Sequence, residues 1–392
     1  MTVLNRRRFL ELGGLGSAAG VGLPNLALAQ AARDGSAAAA DDRRVFLTGD
    51  GLSLTPAQYG RLLARLVDEK GITPDNYSLG GVVEELEAQF AGLLGKERAV
   101  FMPTGTLANQ LAVRALAGGS SRALVQAESH LYMDCGDCVQ TLSNITLMPL
   151  APGRATFTSD DVQRVLNETR GGRVVQRVSV IQIETPVRRR LGEAFDAAQM
   201  AQVVGLARRD GIKLHLDGAR VFLEAAYRGR RITEYTAPFD TVYVSLYKYF
   251  NAAGGAILAG PRALLDDLYH TRRMYGGGLY HAWPYAAVAL HYLQGFDERF
   301  TRAIAVSDEF IRGLSRVDGV VVERIPSGTN LFRLRVMRAD AVRLRTRLAE
   351  RGIVLPAAST DGTNTFLIGV NESWNRTTGA ELTDAFVRAM AS

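Results

Sequence analysis

The chain has 392 residues, of which 47% are hydrophobic and 22% are charged, and its formal net charge is +6. These proportions are typical of globular proteins and exclude an intrinsically disordered chain or a coiled coil. Because the length exceeds the roughly 250–300 residues that one hydrophobic core usually serves, the sequence predicts one large and one small domain.

The first 29 residues have the layout of an export signal. Arg6, Arg7 and Arg8 lie shortly before an uncharged stretch, from residue 12 onward, that is rich in Gly, Ala, Leu and Val, and Ala27–Ala29 closes it with small residues. A basic start, an apolar middle and a small-residue end predict a cleaved secretory signal. The paired arginines resemble a twin-arginine signal, which implies the twin-arginine export machinery as a partner and a periplasmic or secreted location. The stretch is too weakly hydrophobic to favour the alternative of a stable membrane anchor.

After this signal we expect a flexible tether at 30–44, because its composition is small and charged. Apolar strand-like runs then alternate with helical patterns, and they predict a mainly parallel seven-stranded sheet with helices on both faces. The runs are Arg98–Phe101, Arg122–Gln126, Ile145–Leu150, Arg177–Ile183, Ile212–Leu216, Thr241–Leu246 and Ala256–Ala259. We assign this large domain to 45–290. A smaller α+β domain is predicted at 291–392, with helices near 299–316 and 340–352.

Four polar segments follow predicted strands, at the edge where open α/β sheets bind ligands. Thr104, Gly105 and Thr106 open a helix and offer backbone N–H groups and hydroxyls to a phosphate. A plain strand–helix turn with a threonine cap is the alternative. His130 ends another strand–turn step, where a structural histidine is the alternative to a ring-stacking one.

The other two segments end in ionisable side chains. Asp217 follows a buried strand, where a carboxylate can pair with a pyridine nitrogen; a capping aspartate is the alternative. Lys248 closes an apolar strand, where partial burial lowers the pKa of an amine and frees it as a nucleophile. A lysine at a solvated strand edge is the alternative for that residue.

Together these segments resemble the threonine aldolase and aromatic amino acid β-eliminating lyase family, whose members are fold-type-I enzymes that use pyridoxal 5′-phosphate (PLP). The matches are Pro103–Asn109, His130, the HLDGAR run at 215–220, Lys248 and Arg272–Gly278. The resemblance extends from roughly Gly49 to Val387.

The resemblance implies a role for each matching residue. Gly105 and Thr106 hold the phosphate, His130 stacks on the ring and Asp217 pairs with the ring nitrogen. Arg220 holds the ring oxygen or the substrate carboxylate, and Lys248 is the Schiff-base lysine. The Gly276–Gly278 loop reaches a neighbouring subunit, which implies a homodimer or homotetramer.

The substrate-handling segments depart from the family pattern. The family histidine that handles the substrate hydroxyl is Val187 here, and the C-terminal arginine that clamps the substrate carboxylate is missing from 362–366. We name Thr48, Tyr77 and Arg220 as candidate substrate contacts. Arg188, Arg189 and Arg190 follow the missing histidine. We interpret them as a solvated turn that is too short to bind nucleic acid, or as a replacement for the clamp.

Cys135 and Cys138 are the only cysteines. They are interpreted as buried free thiols on a helix, as a local disulfide, or as a pair with a redox or metal role, although two ligands alone do not make a zinc site. We therefore expect a PLP-dependent carbon–carbon lyase that cleaves a β-hydroxy amino acid to glycine and an aldehyde. The alternatives are β-elimination, racemisation or amino transfer on the same scaffold, and a secreted protein that binds a metabolite without turnover.

Overall fold

The computed structural model describes residues 43–391, so the predicted signal and nearly all of the predicted tether lie outside the described residues. The described chain forms two compact units. The larger comprises Gly49–Ile304 and Arg324–Leu331, and the smaller comprises residues up to Thr48, Ala305–Glu323 and the chain from Phe332 onward. The domain limits predicted at 45–290 and 291–392 stay predictions.

A seven-stranded sheet forms the centre of the larger unit. Its strands are β2 (Arg98–Met102), β3 (Arg122–Gln126), β4 (Thr146–Leu150), β5 (Val178–Glu184), β6 (Lys213–Asp217), β7 (Thr241–Ser245) and β8 (Ala256–Gly260). Their order across the sheet is β2-β8-β7-β6-β5-β3-β4. Only β8 runs antiparallel to its neighbours. The predicted seven-stranded, mainly parallel α/β sheet is therefore confirmed.

The larger unit also contains most of the helices. They are α1 (Pro56–Lys70), α2 (Gly81–Leu94), α3 (Gly105–Ala117), α4 (His130–Met133), α5 (Cys138–Ser143), α6 (Ser159–Arg170), α7 (Ala197–Arg209), α8 (Val221–Arg228), α9 (Ile232–Thr236), α10 (Arg262–Leu265), α11 (Leu268–Met274) and α12 (Trp283–Leu293). A 3₁₀ helix at Arg188–Arg190 follows β5. Sequence signals fix several ends, because Thr104 caps α3 through its hydroxyl and Gly118 ends it in the left-handed conformation.

Apolar side chains cover both faces of the sheet, as β2 shows. Ala99 and Phe101 point into one hydrophobic core, whereas Val100 and Met102 point into another that includes residues of α3. Successive side chains of a strand point to opposite faces, so a strand buried on both sides is apolar at most of its positions. This explains why the strands were legible in the sequence as continuous apolar runs.

The smaller unit contains the remaining strands and two helices. They are β1 (Val45–Phe46), β9 (Val320–Arg324), β10 (Leu331–Val336), β11 (Ile353–Val354), β12 (Thr365–Gly369), α14 (Ala341–Glu350) and α15 (Gly379–Ala391). Strands β12, β10 and β9 form one sheet in that order, and β1 pairs with β11. Helix α13 (Phe296–Leu314) precedes β9. Within 43–391, no helix combines the length and the apolar character needed to cross a membrane.

Candidate active site

The predicted site residues of the larger unit follow neighbouring strands of its sheet. Asp217 is the last residue of β6, and Lys248 lies three residues after β7 ends. Glu184 ends β5 and pairs in register with Asp217, and His130 follows β3. Because these strands are parallel, their carboxyl ends share one edge of the sheet, and the site lies along that edge.

Asp217 is held by a buried chain of hydrogen bonds. Its side chain is 1% exposed; Oδ2 accepts a 2.7 Å bond from Asn109 Nδ2, and Oδ1 accepts a 3.1 Å bond from the amide of Ala219. Asn109 Oδ1 lies 2.8 Å from His215 Nε2, and His215 Nδ1 lies 2.9 Å from Thr241 Oγ1. The chain of contacts therefore runs from Thr241 through His215 and Asn109 to Asp217.

Burial decides the charge of the histidine in this chain. It lowers the pKa of His215 to about 3, so the ring is neutral at physiological pH. Because Asn109 donates to Asp217 through Nδ2, its Oδ1 faces His215, whose Nε2 must carry the proton. Nδ1 then accepts from the Thr241 hydroxyl. Asn109 and His215 belong to the motifs found in the sequence, but the sequence predicted no role for either residue. Thr241 was not predicted as a site residue.

Lys248 is half-buried beside a charged cluster. Its Nζ lies 3.2 Å from Tyr247 Oη, and burial, followed by the positive charge of Arg220, lowers the pKa of the amine. Arg220 Nη2 contacts Asp50 Oδ2 at 2.8 Å. Burial opposes ionisation of Asp50, but its pKa is lowered because Arg220 outweighs that effect. Asp50 was not among the predicted site residues.

The start of α3 offers backbone N–H groups to an anion. The Thr104 hydroxyl accepts from the amide of Leu107 at 3.1 Å, and the first N–H groups of a helix have no intrahelical acceptor. A Cβ atom on Gly105 would lie 2.1 Å from Tyr243 Oη, so only glycine can pack this closely against the Tyr243 side chain. Cys135 Sγ donates to Thr106 Oγ1 at 3.6 Å. The geometry suits a phosphate at the helix start.

His130 connects the sheet edge to a group of charged side chains. Its amide donates to Glu184 Oε2 at 2.6 Å, and its Nδ1 lies 3.3 Å from Asp134 Oδ2. A hydrogen bond with Cys135 raises the pKa of His130 above its ordinary value, against the effect of burial, and the carboxylates of Asp217 and Asp134 add to that rise.

Glu184, which accepts the bond from the His130 amide, is 3% exposed. Burial, followed by the charge of Asp217, raises its pKa.

Thr48 and Tyr77 are the other two candidate substrate contacts. Thr48 belongs to the smaller unit, where its carbonyl oxygen accepts from Asn371 Nδ2 at 3.0 Å. The Tyr77 ring packs edge-on against Tyr280, with centroids 5.3 Å apart, and Arg273 lies over it at 4.4 Å. The contacts that the structure gives Tyr77 do not include Lys248 or Asp217.

The two cysteines are both free thiols of intermediate exposure. A hydrogen bond from Cys135 to Cys138, together with burial, raises the pKa of Cys135, and the same bond lowers the pKa of Cys138. Across 43–391, no group of three or more His, Cys, Asp or Glu side chains is placed to hold a metal ion.

Comparison with known proteins identifies a family and several relatives to which this chain is similar. The family model described as beta-eliminating lyase matches residues 74–336. Low-specificity L-threonine aldolase 1 of Arabidopsis thaliana is 25% identical over 279 residues, covering 69% of this chain and 77% of its own. Alanine racemase TOXG of Cochliobolus carbonum is 29% identical over 208 residues, covering 49% of each chain.

A solved structure from Listeria monocytogenes, described as a candidate L-allo-threonine aldolase, superposes with a TM-score of 0.72 at 25% identity. It covers 90% of this chain and 97% of its own. Several curated relatives match over only about half of their own length, with 55%, 55% and 53% covered in three fungal aldolases.

Proposed function

The chain belongs to the beta-eliminating lyase family, and we propose that it cleaves a β-hydroxy amino acid to glycine and an aldehyde. The family and its relatives confirm the predicted PLP-dependent lyase class. Aldol cleavage is supported by the relatives named as threonine aldolases. Lys248 would supply the reactive amine and Asp217 the carboxylate that pairs with the cofactor ring. The observation that carries the proposal is a lysine of lowered pKa on the same sheet edge as a buried, hydrogen-bonded aspartate.

The residues present fit PLP. Gly105 lets the start of α3 pack closely against Tyr243, and a helix start favours an anion, so Gly105, Thr106 and Thr104 would hold the phosphate. Asp217 would face the ring nitrogen, His130 the ring face and Arg220 the ring oxygen. When bound, PLP supplies an electron sink for the bond broken at Cα of the substrate.

Lys248 is the group suited to nucleophilic and proton-transfer roles. A lysine reacts as the neutral amine, and a lowered pKa increases the neutral fraction near neutral pH. The same Nζ can take and return a proton at the substrate. Tyr247 Oη, 3.2 Å away, orients the amine.

Asp217 and its partners supply a fixed negative charge. Asn109 and the amide of Ala219 each hold one carboxylate oxygen, so the side chain cannot rotate without losing a buried hydrogen bond. Preorganised charge of this kind needs no reorganisation during the reaction.

Visible absorbance of the purified protein tests the function directly. Wild-type protein loaded with PLP is expected to show a Schiff-base band that shifts when β-hydroxy amino acids are added, with release of glycine. Lys248→Ala is expected to lack the band. A band that shifts without glycine release would contradict aldol cleavage and would move the assignment to another PLP reaction. Absence of the band from both proteins would overturn the site.

One observation favours a second candidate reaction. Val187, which stands where the family has its histidine, is fully buried and has no proton-accepting side-chain atom. One relative is named an alanine racemase. Racemisation, β-elimination or amino transfer is therefore the second candidate, and chromatography of the products from alanine, serine and threonine separates these reactions.

We further propose that the chain is exported by the twin-arginine machinery, loses residues 1–29 and keeps 30–44 as a tether. The proposal rests on the Arg6–Arg8 pattern and the small residues at Ala27–Ala29. Cell fractionation of wild type beside an Arg6→Lys, Arg7→Lys variant tests it. A periplasmic or secreted mature form that persists in the variant would contradict twin-arginine export.

We also propose a homodimer or homotetramer. Met274 and Tyr280 are 78% and 61% exposed on either side of Gly276–Gly278, and exposed apolar side chains of this size favour contact with another chain. Light scattering of the purified protein gives the mass, and a monomer at assay concentration would contradict the proposal.

A further inference from the structure

The 3₁₀ helix at Arg188–Arg190 lies at the same sheet edge as the candidate active site. It begins four residues after Glu184, the last residue of β5, which pairs in register with Asp217 of β6. The amide of the next residue, Thr185, donates to the Asp217 carbonyl oxygen at 3.2 Å. The arginines are therefore carried by the loop directly beside the strand that positions Asp217.

Two of the three arginines share a single carboxylate. Arg188 Nη2 lies 2.8 Å from Asp134 Oδ2, and Arg189 Nη1 lies 3.0 Å from Asp134 Oδ1. Arg190 pairs instead with Glu193 at 3.5 Å. Two guanidinium groups against one carboxylate leave a surplus of one positive charge, to which His130 adds when it is protonated. The Arg188 and Arg189 side chains are 48% and 37% exposed, so they are accessible to a ligand.

A buried carboxylate fixes the backbone of this cluster. Glu184 Oε1 accepts from the amide of Arg188 at 2.9 Å, and Oε2 accepts from the amide of His130 at 2.6 Å. One side chain thus anchors both the loop that carries Arg188 and the start of α4, which carries His130. This attachment distinguishes the cluster from an ordinary surface ion pair, whose two side chains are held by nothing else.

We propose that Arg188 and Arg189 bind a carboxylate of the amino-acid substrate, in exchange for part of their contact with Asp134. Guanidinium groups present paired N–H donors that match the two oxygens of a carboxylate. The inference rests on the proposed function only in taking the ligand to be an amino acid. The carboxylate has two possible sources, the α-carboxylate of every amino acid and a second carboxylate on an acidic side chain.

Binding of amino acids that lack a β-hydroxyl group tests the inference without turnover by aldol cleavage. PLP-loaded full-length protein is titrated with L-alanine and with L-aspartate, and Kd is read from the shift of the visible band and from calorimetry. Arg188→Gln and Arg189→Gln are each expected to raise Kd about tenfold, the loss of one charge-assisted pair at a half-exposed site. An equal rise for both ligands identifies the α-carboxylate. A rise for aspartate alone identifies a side-chain carboxylate.

Matched variants separate binding from a structural role. Arg190→Gln removes a neighbouring arginine that pairs with Glu193, and it is expected to leave both Kd values unchanged. Arg188→Lys keeps the charge and is expected to recover part of the affinity. Asp134→Asn removes the internal competitor, so it is expected to lower Kd severalfold, whereas a purely structural role for Asp134 predicts a higher one.

The outcomes are distinguishable from failure of the proposed function. If wild type binds both amino acids, and the double variant Arg188→Gln, Arg189→Gln binds them within twofold of wild type, the inference is overturned whether or not glycine is released from threonine. If the double variant loses binding and wild type releases no glycine, the inference stands and aldol cleavage fails. Equal melting temperatures for the variants exclude unfolding as the cause of lost binding.

Discussion

Two aspartates at the same sheet edge are held in opposite ways. Asp217 is 1% exposed, and its side chain bonds to uncharged donors, Asn109 and a backbone amide. Asp134 has a side chain 20% exposed and contacts Arg188, Arg189 and His130. The Asp217 carboxylate, which bonds only to uncharged donors, can pair with a positive group of a ligand. The Asp134 carboxylate already pairs with positive side chains of the protein.

The different contacts of Asp217 and Asp134 indicate different roles for the regions around them. Asn109 Nδ2 is hydrogen-bonded to Asp217 and Asn109 Oδ1 to His215. These bonds hold the Asp217 carboxylate rigidly in one orientation. The Asp134 region consists of partly solvated ion pairs, which exchange partners at low cost. We therefore assign ring positioning to the first region and adjustable substrate contacts to the second.

The largest expected effect comes from neutralising each aspartate in turn. Asp217→Asn is expected to lower kcat by about 10²–10³-fold, as for other losses of preorganised charge next to a reacting group. Asp134→Asn is expected to change kcat by less than about tenfold, because partly exposed pairs are worth about 1 kcal/mol or less. Glycine release measured at matched PLP content checks both. Equal losses in the two variants would remove the distinction between the regions.

A second variant pair tests the rigidity of the Asp217 region. Asn109 and Gln110 are neighbours on α3 and are both buried, but Gln110 Nε2 has no hydrogen-bond partner among the described residues, whereas Asn109 joins Asp217 to His215. Asn109→Ala leaves buried polar groups without partners, each at a cost of about 1–3 kcal/mol. We expect its free energy of unfolding to fall by about that amount more than that of Gln110→Ala.

Chemical denaturation of the PLP-loaded and PLP-free proteins measures the difference, and a PLP titration measures affinity in the same samples. Asn109→Ala is expected to bind PLP more weakly than Gln110→Ala. Indistinguishable stabilities and affinities for the two variants would show that the chain from Thr241 to Asp217 does not hold the carboxylate.

Sequence reasoning located strand-end residues better than their partners. Asp217 and Lys248 were predicted because buried parallel strands are legible as continuous apolar runs, and ligand-binding residues cluster where such strands end. The strands and the two long C-terminal helical patterns were found for the same reason, since burial on one or two faces leaves a periodic record in the chain.

The residues that contact these strand-end residues could not be predicted from a local sequence pattern. Asn109 is 108 residues from Asp217, and Arg188 is 54 residues from Asp134. Whether such pairs meet depends on how α3 lies on the sheet and how the loop after β5 turns, which no local pattern specifies. Asp50 likewise contacts Arg220, a residue 170 positions away in the chain.

The smallest expected effect concerns the pH dependence of Lys248. The positive charge of Arg220 helps to lower the pKa of the amine, while Asp50 acts to raise it. Arg220→Gln removes the positive charge of Arg220 and leaves the Asp50 carboxylate without its ion-pair partner. Both changes raise the pKa of Lys248. Lysine is protonated and unreactive below its pKa. The acidic limb of Schiff-base formation should therefore move to higher pH in this variant.

Absorbance of the Schiff-base band, recorded when PLP is added to the PLP-free protein across a pH series, measures that limb. Arg189→Gln is the comparison, because a half-exposed charge outside the Lys248 cluster is screened by solvent and salt and should move the limb less. A limb that stays in place in Arg220→Gln would mean that burial alone sets the pKa of Lys248, and a limb that moves equally in both variants would mean that Arg220 has no specific influence on it. The contact between Arg220 and Asp50 would then serve to hold the loop before α1 in place and would not tune the amine.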